Sequence, residues 1–142
     1  MKEVVLTITG QHAYDETGDD AMEFVTEGKL YDRNGTLYLT YDESYLTGMP
    51  GCRTRLKLEP DKVRMTRRGK SIGVDTEIHF EKGKRYQGYY DTDFGPIEME
   101  VLTNELVNNV TMEDGGDVDI DYNISLKGLA EGRSRLKISV RS

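Results

Sequence analysis

Apolar and polar residues alternate with a period of two along most of this chain. Residues 118–127 read V-D-I-D-Y-N-I-S-L-K, with an apolar or aromatic side chain at every even position. Residues 74–81 and 135–141 follow the same rule, and shorter alternations occupy residues 55–59 and 97–103. This pattern predicts β-strands that bury one face and expose the other.

Turn signals separate the alternating segments. Asn34-Gly35 favours a two-residue hairpin because both residues tolerate positive φ, and Pro60 fits a tight turn. Roughly nine or ten strands result, joined mostly by short turns. Residues 99–110 have a helix-like spacing of apolar side chains, but they are rich in Asn and Thr, so two strands with a bend are predicted there.

The predicted fold is a single all-β domain covering residues 1–142. An antiparallel meander of this length must protect its edges, and closure into a barrel does so. We therefore expect a calycin- or lipocalin-like barrel of about eight to ten strands. A two-sheet sandwich would give the same alternation, so the barrel is a preference between two architectures.

Composition narrows the class of protein. The 142 residues are 36% hydrophobic and 32% charged, with a net charge of −7, and no apolar run is long enough to span a membrane. Cys52 is the only cysteine, so no intrachain disulfide and no oxidising compartment are implied. The apolar stretch at residues 4–9 is too short for a signal-peptide core, and a cytoplasmic location is expected.

Two charged side chains interrupt the apolar face of predicted strands. The face that carries Leu37 and Leu39 continues to Tyr41 and Glu43, and the face that carries Val63 and Met65 continues to Arg67. Because a buried charge is costly unless it is paired, we expect Glu43 and Arg67 to meet. The pair could be a structural plug at one end of the barrel or an anion site in a ligand cavity. Alternatively, both residues could lie past their strands and point to solvent.

Hydroxyl-bearing residues are predicted on the same inward face. Tyr41, Tyr86 and Tyr90 are candidate walls of a cavity, and Thr103 is a further candidate ligand contact. The high strand propensity of tyrosine is an alternative explanation for its abundance.

Charge is unevenly distributed along the chain. Residues 53–70 contain eight basic side chains, whereas residues 91–121 contain ten acidic side chains and no Lys or Arg. The basic hairpin could bind a phosphate backbone, but the overall acidity argues against nucleic acid. Pairing with the acidic strands of the same sheet, or of a second subunit in a homodimer, is the preferred interpretation.

Catalytic and cofactor signatures are missing from the sequence. It contains no P-loop, no GxSxG and no dinucleotide-binding fingerprint. His79 lies between Glu77 and Glu81 at alternate positions, but no second histidine or thiolate completes a metal site there. We therefore expect no catalytic residues, no metal and no cofactor.

Several short motifs resemble the YwiB-like family of small bacterial proteins of unassigned function. They are Thr26-Glu27-Gly28, the segment 37–43, Gly48, Arg67-Arg68-Gly69, Tyr90 with Phe94-Gly95, and Thr103. The family's Y-x-E motif corresponds to Tyr41 and Glu43, and its R-x-G motif to Arg67 and Gly69. The resemblance implies a calycin-like barrel in a bacterial cytoplasm and no particular activity.

The leading hypothesis is a non-enzymatic barrel that binds a small anionic or amphipathic ligand, with Arg67 as charge partner. It rests largely on analogy between folds. The rival hypothesis is a protein-interaction or assembly module with a packed interior. An empty cavity near Arg67 would favour the binder, and a filled barrel would favour the rival.

Overall fold

Ten β-strands and the turns between them make up the part of the chain that the computed structural model describes. The described residues are 1–12, 21–43, 51–69, 74–92, 95–127 and 130–142. The strands are β1 (Lys2–His12), β2 (Ala21–Arg33), β3 (Thr36–Asp42), β4 (Arg53–Leu58), β5 (Lys62–Gly69), β6 (Val74–Glu81), β7 (Arg85–Thr92), β8 (Gly95–Asn108), β9 (Gly116–Leu126) and β10 (Ala130–Arg141).

The strands form one antiparallel sheet in the order β6-β5-β4-β3-β2-β1-β10-β9-β8-β7. Neighbours in the sheet are neighbours in the chain, and β1 pairs with β10, so the meander curls into a barrel. Among the described residues only β6 and β7 adjoin along the chain without a hydrogen-bonded ladder. The predicted all-β meander is confirmed as a nearly closed barrel of ten strands, whereas its calycin-like character stays a prediction.

Aromatic rings bridge the seam between β6 and β7. The ring of His79 on β6 stacks on the ring of Tyr86 on β7, with centroids 4.8 Å apart and planes 13° from parallel. A turn joins the two strands, in which the Lys84 amide donates to the Glu81 carbonyl at 2.9 Å. Ring stacking therefore closes the barrel where backbone pairing does not.

The interior is the apolar face that the alternation predicts. Leu6, Leu30, Leu39, Leu56 and Phe80 come from different strands, and each is at most 1% exposed. Burying one side chain of this size contributes about 1.5–3 kcal/mol. The core therefore holds the sheet in its curled form.

Strand β8 differs from the predicted pair of strands. It is one strand of 14 residues, with a register shift against β9 between Thr103 and Glu105. A bulge adds one residue to a strand and bends it without ending it. Met99 and Thr103 face inward before the bulge and Leu106 packs against the core after it, which explains the mixed apolar spacing.

Two glycine-containing segments shape β2 and its neighbours. Asn34 (φ 54°) and Gly35 (φ 86°) form the predicted tight hairpin, and the Asp32 carboxylate accepts a hydrogen bond from the Gly35 amide at 2.9 Å. Gly28 faces the interior, where a Cβ atom would lie 2.9 Å from the backbone oxygen of Thr40. Only glycine therefore fits this inner position without a shift of the backbone.

The basic hairpin β4–β5 was predicted to pair with the acidic strands of the same sheet, and it does not. Its neighbours are β3 and β6, and Arg53 and Arg68 form exposed ion pairs with Asp42 and Asp75 from those strands. The same-sheet alternative was wrong because sheet order places β8 and β9 away from this hairpin, whereas pairing with a second subunit stays a prediction.

The acidic side chains of β9 form ion pairs with arginines on β10. Asp119 accepts two hydrogen bonds from Arg135, at 2.9 and 2.7 Å, and Asp121 accepts two from Arg133, at 2.9 and 2.6 Å. Hydrogen bonding from Arg135 is the main cause that holds the pKa of Asp119 below its ordinary value. These bidentate pairs line the outer face of the barrel.

Candidate functional site

A row of polar side chains crosses the interior near one end of the barrel. Tyr41, Thr54, Arg67 and Thr76 are successive cross-strand partners on β3, β4, β5 and β6. Alternation along each strand places all of them on the inner face. Thr54 and Thr76 are buried, so this end of the interior is polar where the rest is apolar.

Glu43 completes the row just beyond the end of β3. Its amide donates to the carbonyl of Cys52 at 2.8 Å, which continues the pairing of β3 with β4 and turns the side chain inward. The Glu43 side chain is only 1% exposed. The alternative in which Glu43 and Arg67 point to solvent is therefore wrong.

Glu43, Thr54 and Arg67 form one hydrogen-bonded network, which confirms the predicted contact between the two charges. Glu43 Oε1 accepts from Thr54 Oγ1 at 2.5 Å and lies 3.3 Å from Arg67 Nη2. Arg67 Nε donates to Thr54 Oγ1 at 3.3 Å. The buried carboxylate is thus neutralised and hydrogen-bonded, as a buried charge requires.

Tyr41 and Cys52 border the network and stay protonated at neutral pH. Burial, followed by the charge of Glu43, raises the pKa of Tyr41 to about 12. Burial also raises the pKa of the Cys52 thiol, although the charge of Arg67 opposes the shift. Both groups can donate hydrogen bonds, and neither is an activated nucleophile.

A cavity of about 390 Å³ lies against this network. Tyr41, Glu43 and Arg67 form part of its wall. Apolar and aromatic side chains supply most of the remaining surface, among them Ile8, Phe24, Met65, Ile78, Phe80, Tyr90, Tyr122, Ile124, Leu126 and Leu136. Its volume falls within the range of about 300–1,000 Å³ that is typical of small-molecule sites. Apolar walls with a few polar groups are also typical of such sites.

The structure brings together four of the six predicted site residues. Tyr41, Glu43, Arg67 and Tyr90 all line the cavity. Sequence reasoning had no means to single out Cys52, which becomes a neighbour of Glu43 only through the pairing of β3 with β4.

The other two predicted contacts, Tyr86 and Thr103, lie elsewhere. The ring of Tyr86 stacks on the ring of His79 at the β6–β7 seam. The backbone amide of Thr103 donates to the carbonyl of Lys84 at 3.3 Å, near the β6–β7 turn at the opposite end of the barrel. Both residues follow the predicted alternation, but periodicity does not specify the depth of a residue along the barrel.

Other sequence-based expectations concern metals, membranes and family motifs. Within the six described stretches, no group of three or more His, Cys, Asp or Glu side chains could hold a metal ion. No helix in those same stretches is long and apolar enough to cross a membrane. The motif residues Gly48 and Phe94 lie outside the described residues.

Fold and site together define a small, nearly closed antiparallel β-barrel with an internal cavity and a buried ion pair at one end. The chain belongs to the family described as a domain of unknown function, DUF1934, whose model matches residues 6–138. Together with the match to a solved ywiB structure described next, this confirms the relationship to YwiB-like proteins that the motifs indicated.

A solved structure supports the same conclusion for the fold. The chain is similar to the crystal structure of the ywiB protein from Bacillus subtilis, with a TM-score of 0.83 and 21% sequence identity. The similarity covers 99% of this chain and 91% of that chain. No curated protein matches this sequence.

Proposed function

We propose that this protein is a non-enzymatic carrier or sensor that binds a small anionic or amphipathic molecule inside the barrel. The cavity beside the Glu43–Arg67 pair carries the proposal, because it joins a large apolar surface to the guanidinium of Arg67. The second arginine in the lining, Arg135, is already paired with Asp119 at 2.7 Å. The ligand's apolar part would occupy the space between Phe24, Ile78 and Phe80, and its polar head would face Arg67.

Electrostatics favour an anionic or hydrogen-bond-accepting head group. Arg67 and the hydroxyl of Tyr41 are donors at the cavity wall, and the pKa of about 12 keeps the proton on Tyr41. Glu43 already receives hydrogen bonds from within the protein, so its carboxylate is the orienting partner of Arg67. A cationic head would be repelled by the guanidinium of Arg67 at the cavity wall.

Binding without catalysis is supported by the protonated state of the nearby groups. Neither Tyr41 nor Cys52 is activated as a nucleophile, since burial raises both pKa values. A cytoplasmic location is part of the proposal, because the single cysteine requires no oxidising compartment.

Calorimetric titration with octanoate, octanol and octylammonium tests the proposal, since these probes share one chain and differ in head group. We expect octanoate to bind more tightly than octanol and octylammonium to bind weakest. Arg67→Met should weaken octanoate about tenfold, as loss of one charge-assisted hydrogen bond does, and leave octanol nearly unchanged. Arg133→Met is the matched control, because Arg133 on β10 is exposed on the outer face and does not line the cavity.

Glu43→Gln is an independent variant that should change the affinity for octanoate in the opposite direction. It keeps the shape of residue 43 and removes the charge that Arg67 neutralises, so octanoate should bind more tightly. Equal affinity for all three probes, or affinities insensitive to both variants, would overturn the role of Arg67. Absence of binding by every probe would favour the rival, an interaction module in which the ion pair is structural.

A further inference from the structure

A second anion site is indicated on the outer face of β3, β4 and β5, away from the internal cavity. A shallow depression of about 160 Å³ there is lined by Arg55, Lys57, Arg64 and Arg68. Glu77 is the one carboxylate in its lining. The depression therefore concentrates positive charge on a protein whose net charge is −7.

Arg55 is held in place by aromatic packing. Its guanidinium carbon lies 4.5 Å from the centre of the Tyr38 ring, a cation–π contact. The same ring stacks on Tyr31, with centroids 5.3 Å apart and planes 11° from parallel. Because β2 and β4 flank β3, Tyr31 and Arg55 approach Tyr38 from opposite sides. Arg55 has no ion-pair partner among the described residues, so the N–H groups of its preorganised guanidinium can donate hydrogen bonds to a ligand.

The other cations retain unused capacity to donate hydrogen bonds. The Nε atom of Arg64 is buried without a hydrogen-bond partner in the described part of the chain, so only the terminal nitrogens of this part-exposed side chain can reach a ligand in the depression. Its nearest carboxylate contact is 3.9 Å, from Nη1 to Glu77 Oε1, which is too long for a hydrogen bond. Lys57 and Arg68 are paired with Glu59 and Asp75, at 3.5 and 3.2 Å.

We propose that this depression binds a small molecule through a phosphate or pyrophosphate group. Arginine presents planar, paired donors that match phosphate oxygens, and Arg55 and Arg64 are the two with donors to spare. Both sides of the Tyr38 ring are occupied, so the ring offers no free face on which a base could stack. A small phosphate compound therefore fits this surface better than single-stranded nucleic acid does.

Titration of the full-length protein with inorganic pyrophosphate, followed by amide chemical shifts, tests the site. Sodium chloride at matched ionic strength is the reference. We expect saturable shifts on the outer face of β3–β5 and none around the internal cavity. Failure here would leave the octanoate proposal untouched, since the two sites occupy opposite faces of the sheet.

Variants decide whether the site is specific. Arg55→Met should weaken pyrophosphate about tenfold, and Arg55→Lys should restore part of the loss. Glu77→Gln should tighten binding by removing the repelling carboxylate. Arg133→Met, on β10, is the control for loss of one exposed arginine and should change the affinity less than about twofold.

Four outcomes would overturn the proposal. Shifts that chloride reproduces, or that every arginine variant alters equally, would mean an adventitious ion only. A failure of Glu77→Gln to tighten binding would contradict the placement of the anion. Tighter binding of short oligodeoxythymidylate than of pyrophosphate would make nucleic acid the partner in place of a small phosphate compound.

Discussion

Replacement of Arg67 by Met isolates the energetic role of the buried ion pair. The change removes the guanidinium that lies 3.3 Å from Glu43 Oε1 and keeps a long apolar side chain in its place. Glu43, whose side chain is 1% exposed beside Arg67, is then left without its cationic partner. The stability of the variant measures how strongly the fold depends on neutralising that carboxylate.

The expected loss follows from the geometry of the network. Removing one partner of a buried ion pair costs about 3–5 kcal/mol. The hydrogen bond from Thr54 to Glu43, at 2.5 Å, survives the change. We therefore expect a loss at the lower end of that range, about 3 kcal/mol.

Urea denaturation at neutral pH measures this loss. With a typical urea dependence of about 1.5–3 kcal/mol per molar, the midpoint should fall by about 1–2 M and the slope should not change. Arg68→Met is the control, because its pair with Asp75 is exposed and should contribute at most about 1 kcal/mol.

A double-mutant cycle with Glu43→Gln identifies the cause. If the cost comes from the unpaired carboxylate, Arg67→Met should be much less destabilising when Glu43→Gln is already present. A loss below about 0.5 kcal/mol for Arg67→Met alone would refute the reasoning. So would equal losses with and without the Glu43→Gln change, which would assign the effect to lost packing.

Three further predictions concern Tyr41, Gly28 and Thr103. The folded state holds the Tyr41 proton to about pH 12 and the unfolded chain releases it near pH 10, so the free energy of unfolding should fall by about 3 kcal/mol across that interval. Tyr41→Phe should abolish this fall and Tyr89→Phe should not, as measured by urea midpoints against pH. Gly28→Ala should destabilise by about 1–3 kcal/mol because its Cβ meets backbone, whereas Gly10→Ala, with open space, should be nearly neutral in thermal denaturation. Thr103→Val should leave urea stability unchanged or raise it by about 1 kcal/mol, because Thr103 Oγ1 is buried without a hydrogen-bond partner among the described residues.

Each of these predictions has a contradicting result. An alkaline loss that persists in Tyr41→Phe would assign it to another group. Equal effects of the two glycine variants would mean that the backbone yields at residue 28. A loss above about 1 kcal/mol in Thr103→Val would reveal a partner for the hydroxyl.

Local periodicity was sufficient to predict the strands, the hairpin at Asn34-Gly35 and the inward direction of Glu43 and Arg67. These properties depend on neighbours one or two residues apart, since successive side chains in a strand point to opposite faces. The cost of burying an unpaired charge then predicted that the two residues would meet.

Only the tertiary structure decided where along the barrel each inward residue lies. Tyr90 and Tyr86 share a strand face, yet one lines the cavity and the other stacks at the seam. Register between strands determines this depth, and it depends on pairings between residues distant in the chain.

Sheet order likewise decided the partners of the charges and the surroundings of each aromatic ring. Tyr38 lies outside the basic hairpin in sequence, but the β3–β4 pairing sets it beside Arg55 and makes an aromatic support for that cation. The alternation of residues specifies that a strand has two faces, and it carries no information about which strand lies alongside. Composition and period therefore determined the class of fold, whereas the cavity and the outer basic depression arise from long-range pairing.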